Sequence, residues 1–305
     1  MLRRMCAVAV IASAALWVLQ KGFAEEEVAK KKPILVASTT QVADLTRQVV
    51  GDRCEVHCIL APGADPHLYE PKPSDAALVK RADLCLQNGL HLEGKNWMGT
   101  LAKDAGKPVV TCAEGVKPIE LEADGQKVHD PHAWFSPRNA AIFVNNIVKA
   151  VVQIDAPGKD EYEARAELYL QQLKVLDAWI KRQFNVLPKE QRILVTSHDA
   201  FNYFCAEYGF RNETPVGWST GSEVGGGQTP ERRRKVIESI SGFGVKAIFV
   251  ETSVNPKAIR EIAREAGVVV GGELYSDSMG EKGSAGETYI GMMRENTLII
   301  VKALK

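Results

Sequence analysis

Short apolar runs alternate with helical stretches along most of this 305-residue chain. Residues 33–39 (PILVAST), 54–60 (CEVHCIL) and 83–89 (DLCLQNG) are runs of this kind, and stretches with helical periodicity separate them. Continuous apolar strands between helices are typical of parallel sheets that are covered on both faces. The pattern therefore predicts an α/β fold.

One long segment in the middle of the chain breaks the alternation. Residues 159–187 show an uninterrupted helical pattern, which at a rise of about 1.5 Å per residue would extend roughly 40 Å. Strand and helix signals resume after it. We therefore expect two α/β lobes, residues 25–155 and 191–305, each with a parallel four-stranded sheet. One long helix within residues 156–190 would join them.

The N-terminus has the features of an export signal. Two arginines precede an apolar run over residues 7–19, and small residues ending at Ala24 stand before three glutamates. These features predict a signal peptide over residues 1–24 and a periplasmic protein. An uncleaved anchor is the alternative, but the apolar run is short for a membrane span. Cys6 precedes the run, so a lipid anchor there is not expected.

Composition excludes some classes of partner. Lysine plus arginine and aspartate plus glutamate both number 38, so no basic excess attracts nucleic acid or an anionic membrane. Hydrophobic residues make up 45% of the chain, which is enough for a large core without a disulfide framework. We expect a monomer.

Five cysteines follow the predicted signal peptide, and two interpretations of them stay open. Export permits disulfides, and the neighbouring predicted strands that carry Cys85 and Cys112 make this pair a candidate. The alternative is that the cysteines are small buried residues in strands. The five are Cys54, Cys58, Cys85, Cys112 and Cys205.

Four potential metal ligands stand where predicted strands end. His67 and His132 belong to the first half of the chain, and His198 and Asp277 to the second. In open α/β sheets, ligands bind outside the carboxyl ends of the strands, so we expect the four side chains to converge through the fold. Three imidazoles and one carboxylate suit a divalent metal such as zinc or manganese.

A histidine in a loop is often simply solvated, so each residue also has an ordinary structural interpretation. His57 and His91 are expected to be structural, and His129 lies in a charged loop. Asp277 alone could cap a helix. A proline directly precedes both His67 and His132. Because proline restricts the backbone, it would hold the following imidazole in position to bind.

Five segments carry a resemblance to a known family: GADPHLYEP, NGLHLE, DPHAWFSP, VTSHDAF and GGELYSDSMG. Together and in this order they resemble the zinc- and manganese-binding solute-binding proteins of bacterial ABC importers, the TroA-like family. The resemblance implies two lobes, a long connecting helix and a transported Zn²⁺ or Mn²⁺ ion in the cleft. It implies His67, His132, His198 and Asp277 as ligands, and a membrane permease and its ATPase as partners.

Two features bear on which metal binds. Many zinc-specific relatives carry a long histidine-rich loop before the second ligand, whereas residues 115–130 are a short acidic segment with one histidine. The third ligand position, His198, is a histidine where many manganese-preferring relatives have glutamate. Because more nitrogen favours zinc over the harder manganese, the sequence favours zinc.

Two other functions are alternatives to metal transport. A zinc hydrolase needs an open coordination position and a general base, whereas four protein ligands would close the site. The chain also has no HExxH, HxE…CxxC or GxSxG motif, and the run Gly225–Gly227 lacks the Lys-Ser/Thr of a phosphate-binding loop. A surface adhesin that uses metal only for stability is the second alternative. We predict a binding protein rather than an enzyme.

Overall fold

The computed structural model of the protein describes residues 31–123, 126–213, 230–245, 247–253 and 256–305. The predicted signal peptide and the glycine run of the second half lie outside these residues. Residues 33–305 form one compact unit with the α/β architecture that the sequence predicts.

The first lobe is built on a parallel four-stranded sheet with the order β2-β1-β3-β4. The central strand β1 is fully buried, which explains why its sequence is continuously apolar rather than alternating. The strands are β1 (Ile34–Ala37), β2 (Glu55–Cys58), β3 (Leu84–Gln87) and β4 (Val109–Thr111). The helices are α1 (Thr40–Val50), α2 (Pro73–Arg81), α3 (Trp97–Asp104) and α4 (Pro137–Ile154).

An antiparallel hairpin, β5 (Glu120–Ala123) and β6 (Gln126–His129), lies in the acidic segment 115–130, for which the sequence predicts no strand. Glu120 pairs directly opposite His129 in its register. The strands have four residues each and carry several charges, so their alternation is too short to signal a strand in the sequence.

The second lobe also contains four described strands, arranged as two parallel pairs, β7-β8 and β9-β10, with β7 beside β9. Its strands are β7 (Ile193–Val195), β8 (Arg211–Glu213), β9 (Ala247–Glu251) and β10 (Val269–Leu274). Its helices are α6 (Asn202–Tyr208), α7 (Pro230–Gly242), α8 (Pro256–Glu265) and α9 (Tyr289–Leu304).

The predicted long helix is α5 (Lys159–Phe184), whose 26 residues extend about 39 Å. It packs against α1 and α4 of the first lobe and against α6 and α9 of the second. Seven side chains at helical spacing bury one face of it: Tyr162, Ala166, Tyr169, Leu173, Leu176, Ile180 and Phe184. They belong to a hydrophobic core that continues from one lobe into the other. The helix is therefore part of a shared core rather than a free connector.

The five described cysteines are all free, so the Cys85–Cys112 disulfide is wrong. The alternative, small buried residues in strands, holds in part, because four of the five are buried but Cys205 lies on α6. Cys85 pairs with Val109 in the sheet register, and Cys112 lies three residues farther along, about 10 Å at strand spacing. Such an offset is too large for a disulfide.

Among the described residues, none of the helices has both the length and the apolar composition that spanning a bilayer requires.

A buried carboxylate connects the two lobes beside this core. The backbone N–H of Tyr289, the first residue of α9, donates to Asp44 Oδ2 at 2.9 Å, and Gln48 Nε2 donates to the other oxygen. Asp44 lies on α1 and is buried. It therefore satisfies a free amide at the start of a helix from the other lobe, where a negative charge is also favourable.

We expect Asp44→Ala to lower the free energy of unfolding by about 1–3 kcal/mol, because it leaves a buried amide without an acceptor. Asp52→Ala, at an exposed position just after the same helix, is the control and should change stability by less than about 0.5 kcal/mol. Urea unfolding followed by circular dichroism measures both. Equal midpoints for the two variants would contradict the role given to Asp44.

Candidate metal centre

The four residues singled out at predicted strand ends come together in the cleft between the lobes. His67, His132, His198 and Asp277 each offer one ligand atom, and these atoms all lie within 4.8 Å of one another. His67 follows β2, His132 follows the hairpin, His198 follows β7 and Asp277 follows β10. Each lobe supplies two of them.

The distances match the spacing that a small divalent ion requires. Asp277 Oδ1 lies 3.3 Å from His132 Nε2, and Asp277 Oδ2 lies 3.2 Å from His198 Nε2. His67 Nε2 lies 3.3 Å from His132 Nε2 and 3.8 Å from Asp277 Oδ2. Ligand atoms around a tetrahedral zinc with bonds of about 2.0–2.1 Å are roughly 3.3 Å apart. The residues present therefore fit such an ion.

Buried polar atoms at the centre lack partners. His132, His198 and Asp277 are at most 5% exposed, whereas the side chain of His67 is 20% exposed. Among the described residues, both oxygens of Asp277 and Nε2 of His198 have no hydrogen bond of good geometry. Buried polar groups are rarely left in this state. Their arrangement points to a cation as the missing partner.

The electrostatics of the site lead to the same conclusion. Burial lowers the pKa of His132, but the negative charges of Asp130 and Asp277 outweigh burial and raise it to about 9. Burial also lowers the pKa of His198, yet Glu251 and Asp277 hold it well above its usual range. Burial raises the pKa of Asp277, but the neighbouring histidines, His198 foremost, hold it well below its usual range. Without a metal, protons bound to the histidines balance the negative charge of these buried carboxylates. A divalent ion would displace those protons.

A buried carboxylate lies behind each of two histidines. Asp130 Oδ1 is 2.7 Å from His132 Nδ1, and Glu251 Oε2 is 2.6 Å from His198 Nδ1. Both leave Nε2 facing the centre, the arrangement that orients histidine ligands in metal sites. In the sequence, Asp130 belongs only to the acidic segment 115–130, and no motif marks Glu251. Asp130 stands two residues before His132, a usable signal, whereas Glu251 is simply the last residue of β9.

The NGLHLE segment supports the loops of the first lobe. Glu93 is buried and accepts hydrogen bonds from Ser38 Oγ at 2.7 Å and from the backbone N–H of Asn88 at 2.6 Å. Asn88 Nδ2 in turn donates to the carbonyl of Pro131, next to His132. Helix α3 does not start within this segment and begins only at Trp97. Positive φ angles at three non-glycine residues, Leu90, His91 and Asn96, explain the delay.

The same segment supports the His67 loop. Trp97 Nε1 donates to the carbonyl of Pro66 at 3.0 Å. The backbone of Gly94 lies so close to His67 that a Cβ added there would be 2.4 Å from the His67 carbonyl oxygen. Gly94 also has φ of +49°, which disfavours a side chain. Only glycine allows this approach.

An aromatic pair aligns two ligand loops across the cleft. Phe135 lies three residues after His132, and Phe201 lies three residues after His198. Their ring centroids are 4.3 Å apart, and both rings are fully buried. Close aromatic packing of this kind adds to the area that the rings bury. It fixes one histidine loop of each lobe relative to the other.

The other described histidines do not join the cluster. His57 lies on β2 near Glu55, with 40% of its side chain exposed. His91 and His129 are exposed.

Gly94→Ala should displace the His67 loop and lower the zinc affinity roughly tenfold or more, the scale seen when groups that orient metal ligands are changed. Gly106→Ala is the matched control: Gly106 also has positive φ, but an added Cβ there meets nothing within 4 Å. The control should lose about 1–2 kcal/mol of stability from backbone strain and keep its affinity. Competition with a chromophoric chelator measures the affinities. Equal losses in the two variants would contradict the contact with His67.

Comparison with known proteins agrees with this geometry. The family described as ZnuA, zinc-uptake complex component A periplasmic, matches residues 35–303. The manganese ABC transporter substrate-binding lipoprotein PsaA of Streptococcus pneumoniae is 34% identical over 277 residues, which cover 88% of this chain and 88% of that protein. The manganese-binding lipoprotein MntA of Bacillus subtilis (strain 168) is 37% identical over 279 residues and 89% of each chain.

A solved structure shares the fold. The periplasmic zinc binding protein TroA from Treponema pallidum superposes with a TM-score of 0.81 at 33% identity, covering 90% of this chain and 99% of that one. PsaA is named as a substrate-binding protein of an ABC transporter, MntA and TroA are named as metal-binding proteins, and none of the three names describes an enzyme. The family match spans most of the chain, and the relatives cover nearly all of it at more than 30% identity. The chain therefore belongs to the family of zinc-uptake complex component A periplasmic proteins, the TroA-like metal-binding components of ABC importers.

Proposed function

We propose that this protein binds zinc in preference to manganese through His67, His132, His198 and Asp277 and delivers it to an ABC permease for uptake. Membership of the family establishes the coarser role, a substrate-binding component of a metal ABC transporter. The observation that carries the finer proposal is the set of three imidazole nitrogens and one carboxylate within 4.8 Å of one another, with the carboxylate buried and unsatisfied.

The chemistry of the donor set supports zinc. Zinc accepts four nitrogen and oxygen ligands in a tetrahedron, whereas manganese favours more oxygen and a larger coordination number. The general order of affinities also places zinc above manganese at such a site. The printed names of the relatives include both metals, with manganese for PsaA and MntA and zinc for TroA. Preference for zinc therefore rests on the ligands of this chain.

The proposed location is the periplasm, after removal of residues 1–24. PsaA and MntA are named as lipoproteins. In this chain Cys6 precedes the apolar run, so we propose a protein without a lipid anchor.

The proposed division into lobes, residues 25–155 and 191–305 around a connecting segment at 156–190, places two ligands in each lobe. We propose that it acts as a monomer that meets the permease and its ATPase at the membrane.

The shared core limits the motion available for metal exchange. Because α5 packs against helices of both lobes, wide opening of the cleft would expose buried apolar surface. The loop of Asp277 is also held to the first lobe, since Thr40 Oγ1 accepts from the N–H of Met279 and Gln41 Nε2 donates to the Ser276 carbonyl. We therefore propose that metal enters and leaves through small movements of the ligand loops.

Metal analysis tests the proposed ligands and the preference. The purified protein should retain one zinc per chain when offered equal zinc and manganese, because the nitrogen-rich set favours zinc. Single alanine substitutions of the four ligands should abolish stoichiometric retention. His57→Ala, which removes a half-buried histidine outside the cluster, is the control and should retain zinc. Preferential retention of manganese would contradict the zinc proposal, and unchanged zinc in all four variants would contradict the site.

Hydrogen–deuterium exchange tests the proposed motion. Adding zinc to the metal-free protein should increase protection in the four ligand loops, near residues 61–72, 130–136, 196–200 and 275–280. Protection along α5 should stay unchanged, because its packing against both lobes is retained. A zinc-dependent change along the middle of α5 would indicate a wide hinge movement instead.

A further inference from the structure

Glu251 occupies an unusual position behind the metal centre. It is the last residue of β9, is fully buried and does not face the ion site itself. One oxygen, Oε1, accepts hydrogen bonds from Ser197 Oγ at 2.9 Å and from the backbone N–H of His198 at 3.0 Å. The other oxygen, Oε2, lies 2.6 Å from His198 Nδ1, off the ideal hydrogen-bond direction. A single side chain thus contacts His198 through both its backbone and its ring.

These contacts determine which ring nitrogen can bind metal. A carboxylate only accepts hydrogen bonds, so the ring nitrogen facing Oε2 must carry the proton. The other nitrogen, Nε2, is then the one that faces the ion site, 3.2 Å from Asp277 Oδ2, and a divalent ion would take the place of its proton. The hydrogen bond from the backbone N–H fixes the position of His198 after β7, and the contact with Nδ1 fixes the orientation of its ring.

We propose that Glu251 is a positioning residue that sets the tautomer and ring orientation of His198, so that Nε2 is its metal-binding atom. This role rests on the proposed metal-binding function and deepens it. Glu251 does not touch the metal and acts only through His198.

An amide cannot replace this carboxylate, although it has nearly the same shape. Glutamine has one oxygen and one NH₂ group, so one of the two contact positions receives a donor. If NH₂ faces the ring, Nδ1 must accept, and the proton moves to Nε2, where it blocks the metal. If NH₂ takes the place of Oε1, two hydrogen-bond donors, the NH₂ group and the backbone N–H of His198, face each other. The hydroxyl of Ser197 can rotate to accept, but a backbone N–H cannot.

Two substitutions of Glu251 separate the carboxylate from the size of the side chain. Glu251→Gln should lower the zinc affinity about 10- to 100-fold, the range for partners that orient a ligating histidine. Glu251→Asp is shorter but keeps an acceptor-only group, so its affinity should stay closer to that of the unsubstituted protein. If the aspartate variant loses as much affinity as the glutamine variant, or more, the proposal is overturned. If the glutamine variant does not fold, Glu251→Asp decides alone: a zinc affinity within about tenfold of the unsubstituted protein supports the proposal, and a loss of about 100-fold or more overturns it.

Asp155→Asn is the matched control. Asp155 is a buried carboxylate that accepts a hydrogen bond from the hydroxyl of Tyr162 at 2.7 Å. It follows α4, whose 18 residues carry the chain about 27 Å from the end next to His132. This variant should lose stability and keep its zinc affinity. An equal loss of affinity in Asp155→Asn would show that Glu251 acts only through general stability, and would overturn the proposal.

A spectroscopic measurement reads the tautomer directly. In zinc-loaded protein with ¹⁵N-labelled histidine, NMR should show His198 with a proton on Nδ1 and the metal on Nε2. The Glu251→Gln variant should lose this pattern at His198 while His132, which has its own carboxylate, keeps it. If both proteins show the same His198 pattern and equal zinc affinity, the role of Glu251 is overturned, whereas the proposed metal-binding function is not affected. Failure of the unsubstituted protein to bind zinc would instead overturn the proposed function, and this role with it.

Discussion

The packing of one long helix against both lobes is the constraint on which the rest of this structure depends. Because α5 buries a full face along its length against helices of each half, the two lobes share one hydrophobic core. The strand ends of both lobes are thereby held opposite one another across a narrow cleft. Four side chains that are far apart in sequence can then lie within 4.8 Å without a local motif to bring them together.

A cluster of buried charge is the consequence of that arrangement, and it suits the role of a metal carrier. Asp277 faces three imidazoles, while Asp130 and Glu251 stand behind two of them. Burying carboxylates is unfavourable unless positive charge accompanies them. Protons can supply that charge in the empty protein and a divalent ion in the loaded one. The site is therefore tolerable in both states, as a protein that binds and releases its cargo requires.

The support of the histidines differs from one ligand to the next. His132 and His198 each have a buried carboxylate behind the ring, and their loops are joined by the packing of Phe135 on Phe201. His67 is more exposed, and Gly94 and Trp97 support the backbone of its loop. Rigid positioning of most of the donor set reduces the ordering that binding requires. His67 is thus the member of the cluster with the most contact with solvent.

The sequence by itself determined the architecture and the members of the candidate metal cluster. Continuous apolar runs between helices predicted the parallel sheet of the first lobe, an uninterrupted periodic segment predicted α5, and three histidines and an aspartate after strands predicted the cluster. Such patterns are local, since burial on both faces of a strand or on one face of a helix is written into neighbouring residues. The tertiary structure alone decided the contacts between distant segments, because no periodicity encodes them. It placed Glu251 behind His198 and Gly94 beneath His67, and it kept Cys85 and Cys112 apart through the register of the sheet.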